Sequence, residues 1–439
     1  MRKKLLSFII IIFALFLLPQ IIGPITDLIT YPQLRKEAEN AVQYFSEVSL
    51  DDTNNAWFYY SLAEDQFDDS GWNKEIGSYI DGKIAITSSI RTALRKNKQA
   101  ADLFRDGTKR NFCRIPYEPG ILVPISVIMS SNNLSKIVDL VSAQSLMNLE
   151  SINNEKAITE IFSIITVSEH FASNGDAIDY MTGCMLFYRS YEILKMGLES
   201  CAFSEVQLET ISNKLKEIEV EWPKFARVLE IESKSTLISL SGQTKGISGH
   251  RFSARILLRY INWKYLFSFN FANLGGYRFM NKLSDELEKE EDIDSLKINF
   301  GNNLKKNIEE RINNYVWKNF MYGMILANIV HLYERKLTRL TRMRILNLCS
   351  EVQLYRLRTG HYPMTLENFN RRTSIDLNTG EYFNYTNYGD SAVISSFGPD
   401  PTDKGDDVLL TLTDIGVKQY LKRKRDSSKE NGVRLEFGI

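Results

Sequence analysis

Apolar residues recur every three or four positions through most of this chain, and that spacing predicts a mainly helical protein. The predicted helical segments are 34–48, 54–67, 84–104, 132–150, 154–173, 177–199 and 204–219. Short polar links join many of them, which favours antiparallel helices packed side by side. The first two resemble a helical hairpin, but no period of about 34 residues repeats along the chain, so a repeat array is not predicted.

The pattern changes in the last quarter of the chain. Residues 328–359 carry a continuous apolar stripe that predicts one long helix, ended by Gly360 and Pro363. Its other faces hold the basic residues Arg335, Lys336, Arg339, Arg342 and Arg344. Aromatic and β-branched residues then predict three strands, at 382–388, 392–397 and 408–413, with a turn at Gly389. The expected fold class is therefore α+β, a helical domain followed by a long helix and a small antiparallel sheet.

The N-terminus predicts a membrane anchor. Arg2, Lys3 and Lys4 precede residues 5–22, which are almost all apolar and approach the length that crosses a bilayer. The basic flank is expected to stay in the cytoplasm, so the rest of the chain would be extracytoplasmic. A cleaved signal peptide is the alternative; Ile22-Gly23-Pro24 is a poor cleavage site, which favours a single-pass anchor in the cytoplasmic (inner) membrane.

Composition narrows the function classes. The 439 residues contain 54 Lys+Arg and 54 Asp+Glu, so no global positive field attracts nucleic acid, and no nucleic-acid partner is expected. The four widely spaced cysteines predict neither a zinc site nor a disulfide framework. Cys184 and Cys201 could form one bridge, although buried free thiols are favoured. The expected organisation is an anchor or signal at 1–26, a helical domain at 30–325, a helix-and-sheet domain at 326–425 and a disordered tail at 426–439.

The last ninety or so residues carry a motif series that matches a known module. After the long helix come Tyr355-Arg with Gly360-His-Tyr-Pro363, then Asp376-x-x-Thr-Gly380-x-x-Phe-x-Tyr385, then Ser396-x-Gly-Pro-Asp400. This order resembles the C-terminal domain of the major pseudopilin of type II secretion systems. The whole chain also resembles a set of membrane-anchored proteins of planctomycete type, which share the turn of Cys113, Arg114, Pro116 and Gly120. The N-terminus lacks the pilin processing motif, so the resemblance implies the module's fold and not a filament.

The resemblance also implies a metal site, because pseudopilins of this type bind calcium in the loop after the Ser-x-Gly-x-Asp strand. The carboxylates at the matching positions are Asp400, Asp403, Asp406 and Asp407. Calcium takes six to eight oxygen ligands, and these aspartates with their backbone carbonyls could supply them. The spacing differs from an EF-hand because Thr411 stands where that loop needs glutamate. A solvated acidic loop without an ion is the alternative.

No catalytic motif is present in the sequence, and no catalytic residue is predicted. The four histidines (His170, His250, His331 and His361) are scattered, and each is expected to have a local structural role; Glu169 and His170 are adjacent on a helix and should not face each other. Two functions remain. The first is an anchored structural or interaction protein, with envelope or secretion-system proteins as partners. The second is a cell-envelope enzyme in the helical domain.

Overall fold

The computed structural model describes residues 31–41, 43, 53–72, 74–114, 123–175, 177–241, 277–288, 310, 320–396 and 408–430. Within these ranges the protein is mainly helical and has one three-stranded antiparallel sheet, which confirms the α+β class. The predicted anchor and the four aspartates lie outside the described residues. Among the residues described, no helix is both long and apolar enough to cross a bilayer.

The helices before residue 290 form a packed helical body. In chain order they are α1 (31–41), α2 (Ala56–Asp65), α3 (Glu75–Ile80), α4 (Ser88–Lys96), α5 (Lys98–Thr108), α6 (Val123–Glu150), α7 (Asn154–Asn174), α8 (Ala177–Glu199), α9 (Glu205–Glu221), α10 (Phe225–Ser241) and α11 (277–288). The short 3-10 turn Asp69–Gly71 lies between α2 and α3. Helices α7 and α8 approach closely at Gly183, where a Cβ atom would lie 2.5 Å from the Ser168 carbonyl oxygen.

Side chains cap the starts of several helices, among them α2, α4 and α9. Ser204 and Gln207 form a reciprocal capping box at the start of α9. The segment 84–104 was predicted as one helical stretch, but the structure divides it into two helices, α4 and α5, at Asn97. The buried Asn97 amide bonds the backbone of Asp68 in both directions, at 2.7 and 3.2 Å. This tertiary contact stabilises a break that apolar spacing alone does not show.

The long helix α12 (Phe320–Thr359) begins earlier than predicted and ends as predicted at Gly360, whose φ is 81°. After the short helix α13 (Arg371–Ser374) come β1 (Asn384–Asn387), β2 (Ser391–Ser396) and β3 (Val408–Thr413) in the order β1-β2-β3. The turn at Gly389, with φ of 89°, closes the predicted hairpin. The three antiparallel strands and the turn between the first two therefore follow the predicted pattern closely.

The C-terminal residues differ from expectation. Residues Val417–Glu430 form helix α14, so the tail predicted from residue 426 starts inside a helix. Leu421 is buried, and Tyr420 donates a hydrogen bond to the carboxylate of Glu199.

One hydrophobic core connects the helical body to the sheet. It combines Leu146 and Ile161 of the body with Leu346 of α12 and with Ile394 and Leu410 of the sheet. A second cluster lies further towards the start of α12 and contains the aromatic residues Tyr180, Trp222, Phe225 and Tyr333. Helix α12 contributes to both clusters. The domain boundary near residue 326 remains a prediction, and the packing shows that the segments on its two sides share a core.

Candidate functional site

The two ends of the predicted calcium loop lie next to each other in the sheet. Ser396, the last residue of β2, pairs with Val408, the first residue of β3, so residues 397–407 leave and rejoin the sheet at neighbouring positions. Asp400, Asp403, Asp406 and Asp407 all belong to this connection and lie outside the described residues. The structure therefore fixes the base of the candidate site without describing its ligands.

Asp376 holds the end of β2 from which the predicted calcium loop begins. Its carboxylate is buried and accepts hydrogen bonds from the Ser396 hydroxyl at 2.7 Å and from the Asn378 backbone N–H at 2.9 Å. Burial raises the pKa of Asp376, while these two bonds act in the opposite direction. Its own carbonyl accepts from the N–H of Gly380, which has φ of 76°. The Asp-x-x-Thr-Gly motif is thus a turn whose aspartate anchors the end of β2.

The Tyr-Pro turn holds the opposite edge of the sheet. The Pro363 carbonyl accepts hydrogen bonds from the Tyr385 hydroxyl at 2.7 Å and the Asn387 amide at 3.0 Å. Tyr362 is buried in the core beneath the sheet. A ring nitrogen of His361 lies 3.1 Å from the Tyr362 carbonyl, so His361 contacts the backbone of this turn, as predicted. The residues on which the predicted resemblance rests therefore have identifiable structural roles in this chain.

A second candidate lies in the helical body, around Arg339 of α12. Its guanidinium is buried between the rings of Phe187 and Trp222. None of its three nitrogens has a hydrogen-bond partner within the described ranges. Burial lowers the pKa of Arg339 to about 9, although Cys184 and Glu169 oppose that shift. A buried cation stacked on aromatic rings gains cation–π energy but loses its hydration.

Glu169 of α7 is a carboxylate whose pKa is affected by the charge of this arginine. Burial raises the pKa of Glu169 to about 7, and the charge of Arg339 partly offsets the rise. Glu217 and Glu221 of α9 raise it further. A carboxyl group that titrates near neutrality can donate or accept a proton, and such groups are common in functional sites. The sequence did not predict Arg339 and Glu169 as members of one site, because nothing in it distinguishes Arg339 from the other basic residues of α12.

His170, next to Glu169, belongs to a different cluster. Its Nδ1 lies 2.8 Å from the Tyr60 hydroxyl and its Nε2 lies 3.1 Å from the Arg110 carbonyl. Because the carbonyl can only accept, Nε2 carries the proton and Nδ1 accepts from tyrosine. Burial lowers the pKa of His170 to about 4, so the ring is neutral at physiological pH. The expectation of a local structural histidine agrees with this environment.

Acidification is expected to destabilise the protein through His170. The unfolded histidine binds a proton near pH 6.5, whereas the folded one does so only near pH 4. Between these values the unfolded state binds more protons, so the free energy of unfolding falls as pH falls, by at most ~3 kcal/mol. Urea unfolding from pH 7 to pH 4.5 should show a smaller loss for His170→Gln than for wild type. The exposed control His331→Gln should keep the wild-type dependence; equal slopes in all three would contradict the assignment.

The cysteines are free thiols, as favoured, and the Cys184–Cys201 bridge is absent. Cys113 is buried, and the adjacent Arg114 exchanges two backbone hydrogen bonds of 2.9 Å with the Asn55 side chain. Since Asn55 also caps α2, the start of the Cys-Arg-x-Pro turn connects α2 to the end of α5. This part of the motif is structural.

No group of three or more His, Cys, Asp or Glu side chains suited to a metal ion occurs in the portion of the chain that is described. Comparison with known proteins found no matching family model, no matching curated protein and no matching solved structure.

Proposed function

We propose that this protein is a membrane-anchored, extracytoplasmic structural or interaction protein whose helical body presents a pseudopilin-like module. The proposal is supported most by the attachment of the sheet to the body. The buried Glu199 carboxylate, at the end of α8, accepts from the Thr411 N–H of β3 at 3.1 Å and from the Tyr420 hydroxyl of α14. A module fixed in this way presents its sheet in one orientation, which lowers the entropic cost of binding a partner.

We infer that the partners are envelope proteins, including secretion-system components. The test is capture of the full-length, tagged chain from cross-linked native membranes, followed by identification of the recovered proteins. Secretion-system components should be enriched over a control in which a same-sized tagged membrane protein replaces the chain. Recovery of no envelope component above that control would contradict the proposal.

Calcium binding by the acidic loop is part of the proposal. Four carboxylates between positions 400 and 407 repel one another unless a cation is present, and the residues on either side of the segment, Ser396 and Val408, pair with each other in the sheet. A ligand at 100 times its dissociation constant stabilises the folded state by ~2.7 kcal/mol. Calcium should therefore raise the melting temperature of the full chain by about 4 °C.

The calcium effect should disappear in Asp406→Ala and persist in Asp285→Ala, a matched change at an exposed aspartate of α11. Magnesium at the same concentration should have a smaller effect, because it prefers a compact octahedral site. An unchanged melting temperature with calcium in the wild-type chain would remove calcium from the proposal.

The alternative, an enzyme acting on envelope polymers, is favoured by one observation, the buried Arg339 guanidinium, which has no hydrogen-bond partner among the described residues and whose charge affects the pKa of Glu169. If this pair acts on a substrate, Glu169→Gln should abolish turnover of purified envelope polymers. The exposed control Glu155→Gln at the start of α7 should leave it intact. Turnover that is absent, or equal in both variants, would exclude this role.

A further inference from the structure

The long helix α12 gives the molecule two distinct ends. Helices α8 and α12 run in the same direction, because Arg339 stacks on Phe187 and, further along both helices, the Gln353 amide donates to the Leu198 carbonyl. The sheet lies where both helices finish, since the Pro363 carbonyl just beyond α12 accepts hydrogen bonds from two side chains of β1. We call this the sheet end; it includes the turn between β1 and β2.

Helix α10 leads to the opposite end of the molecule. Its first residue, Phe225, packs against Tyr333 of α12, with 5.2 Å between the ring centroids. Two turns later, the Glu232 carboxylate accepts from the N–H of Ala177, the first residue of α8. Because α8 runs from there towards the sheet end, α10 runs away from it and finishes at Ser241. We call the region where α10 finishes the far end.

Helix α1 lies at the far end. Leu34 and Ala38 of α1 are buried against Leu237, in the last two turns of α10. Tyr277, at the start of α11, packs on the same three residues. The far end is therefore formed by α1, the last turns of α10 and the first turn of α11.

The predicted anchor is connected to the far end by a short tether. The anchor covers residues 5–22 and α1 starts at Tyr31, so the tether consists of residues 23–30. These eight residues span at most ~28 Å when fully extended. Along α12, by comparison, the rise from Tyr333 to Thr359 at the sheet end is about 39 Å. An anchored chain thus keeps its far end close to the bilayer, whereas no such link holds the sheet end there.

The exposed side chains of the far end suit a lipid headgroup layer. Tyr31 is 47% exposed, and Lys36 of α1 and Arg278 of α11 are also exposed. The exposed carboxylate of Glu39 on α1 is already paired with Arg35 at 2.8 Å. Tyrosine is enriched at the boundary between membrane and water, and basic side chains are attracted to anionic headgroups.

We propose that the far end, through Tyr31, Lys36 and Arg278, contacts the phospholipid bilayer that holds the anchor, so that the sheet end points away from the membrane. The inference deepens the proposed function and rests on it, because the anchor supplies the tether. Partners of the sheet end then meet it at about 40 Å or more from the bilayer.

Energy transfer to labelled lipid headgroups tests this orientation. The full-length chain is placed in bilayer discs of phosphatidylglycerol and phosphatidylethanolamine with an acceptor dye on the headgroups. A donor dye is attached through Gln33→Cys or Met364→Cys, both at exposed positions, after Cys184→Ser and Cys201→Ser remove the partly exposed thiols. Transfer falls steeply with distance, so position 33 should transfer at least about threefold more than position 364.

A longer tether separates lipid contact from simple attachment. A flexible glycine–serine linker inserted after Gly23 removes the length limit. Transfer from position 33 should stay high in this chain and should fall to the level of position 364 when Lys36→Glu and Arg278→Glu are added. The matched control is Lys418→Glu with Lys422→Glu, at exposed positions of α14, and it should change nothing. Far-UV circular dichroism checks that every variant is folded.

Three results would count against the inference. Equal transfer from positions 33 and 364 would overturn the orientation, and loss of transfer from position 33 on lengthening the tether alone would overturn the lipid contact. If such a chain still captures envelope proteins, the proposed function stands without the inference. A chain that alkaline carbonate removes from native membranes has no anchor, and both would then be wrong.

Discussion

Arg339→Met is expected to leave the free energy of unfolding unchanged or to raise it by up to about 2 kcal/mol, whereas Arg344→Met on the same helix should lower it by about 3 kcal/mol. Both arginines are largely buried, but their partners differ. Arg344 donates to Glu219 at 2.9 Å, and both side chains are nearly buried, whereas no described residue accepts from the Arg339 guanidinium. Removing Arg344 leaves a buried carboxylate with only Arg372 at 3.3 Å. Removing Arg339 eliminates an unpaired buried cation.

Methionine is the matched substitution for both sites because it keeps the length of the side chain and contacts aromatic rings well. Urea unfolding measures both free energies. A second readout concerns Glu169, whose pKa of about 7 is held down by Arg339 and should rise in Arg339→Met, as followed by NMR titration. If Arg339→Met lowers the free energy of unfolding as much as Arg344→Met does, the Arg339 guanidinium has a strong partner and the prediction is contradicted. If the variant is stable, the cost of retaining Arg339 argues for a role other than stability.

Glu199→Ala is expected to lower the free energy of unfolding by about 4 kcal/mol. Its carboxylate, only 5% of the residue being exposed, accepts from the Thr411 N–H and the Tyr420 hydroxyl. Alanine leaves both donors without an acceptor at the junction of α8, β3 and α14. Glu199→Gln keeps an accepting oxygen at the same place and should cost about 1 kcal/mol.

The control for this prediction is Glu205→Ala, which removes an exposed carboxylate that pairs with Arg358 at 2.7 Å. Exposed ion pairs contribute little, so its effect should stay below about 1 kcal/mol. Hydrogen exchange gives a site-specific readout, because the amide of Thr411 should lose protection in Glu199→Ala. Retained protection of that amide would mean that another group holds the edge of β3.

Local signals in the sequence predicted most of the fold that the structure describes. The capping residue Ser204, the helix end at Gly360 and the turn at Gly389 each act over a few residues, so their chemistry is visible in the chain. The break at Asn97 was not predicted, because its cause is a contact with Asp68 across the fold. Helix α14 was missed for a related reason, since its stability comes from burial against α8 and not from its own apolar content.

The candidate sites were less predictable than the fold. The acidic loop was found from a motif, and the structure adds that Asp376 fixes its base through Ser396. The Arg339 cluster has no motif, because its members come from α7, α8, α9 and α12 and meet only through packing. A charged residue on a helix is usually solvated, and the sequence contains nothing to show that Arg339 is an exception.

Helix α12, with 40 residues and a length of about 60 Å, has a consequence for how this protein would unfold. Its first half holds Tyr333 in the aromatic cluster, and its second half holds Leu346 beneath the sheet. Because an interrupted helix must nucleate again at a cost, fraying at one cluster is penalised by the other. Slow amide protons in both clusters should therefore be lost together in a single cooperative opening. A fragment that begins at residue 326 would inherit one half of that cooperative unit and an uncovered apolar face.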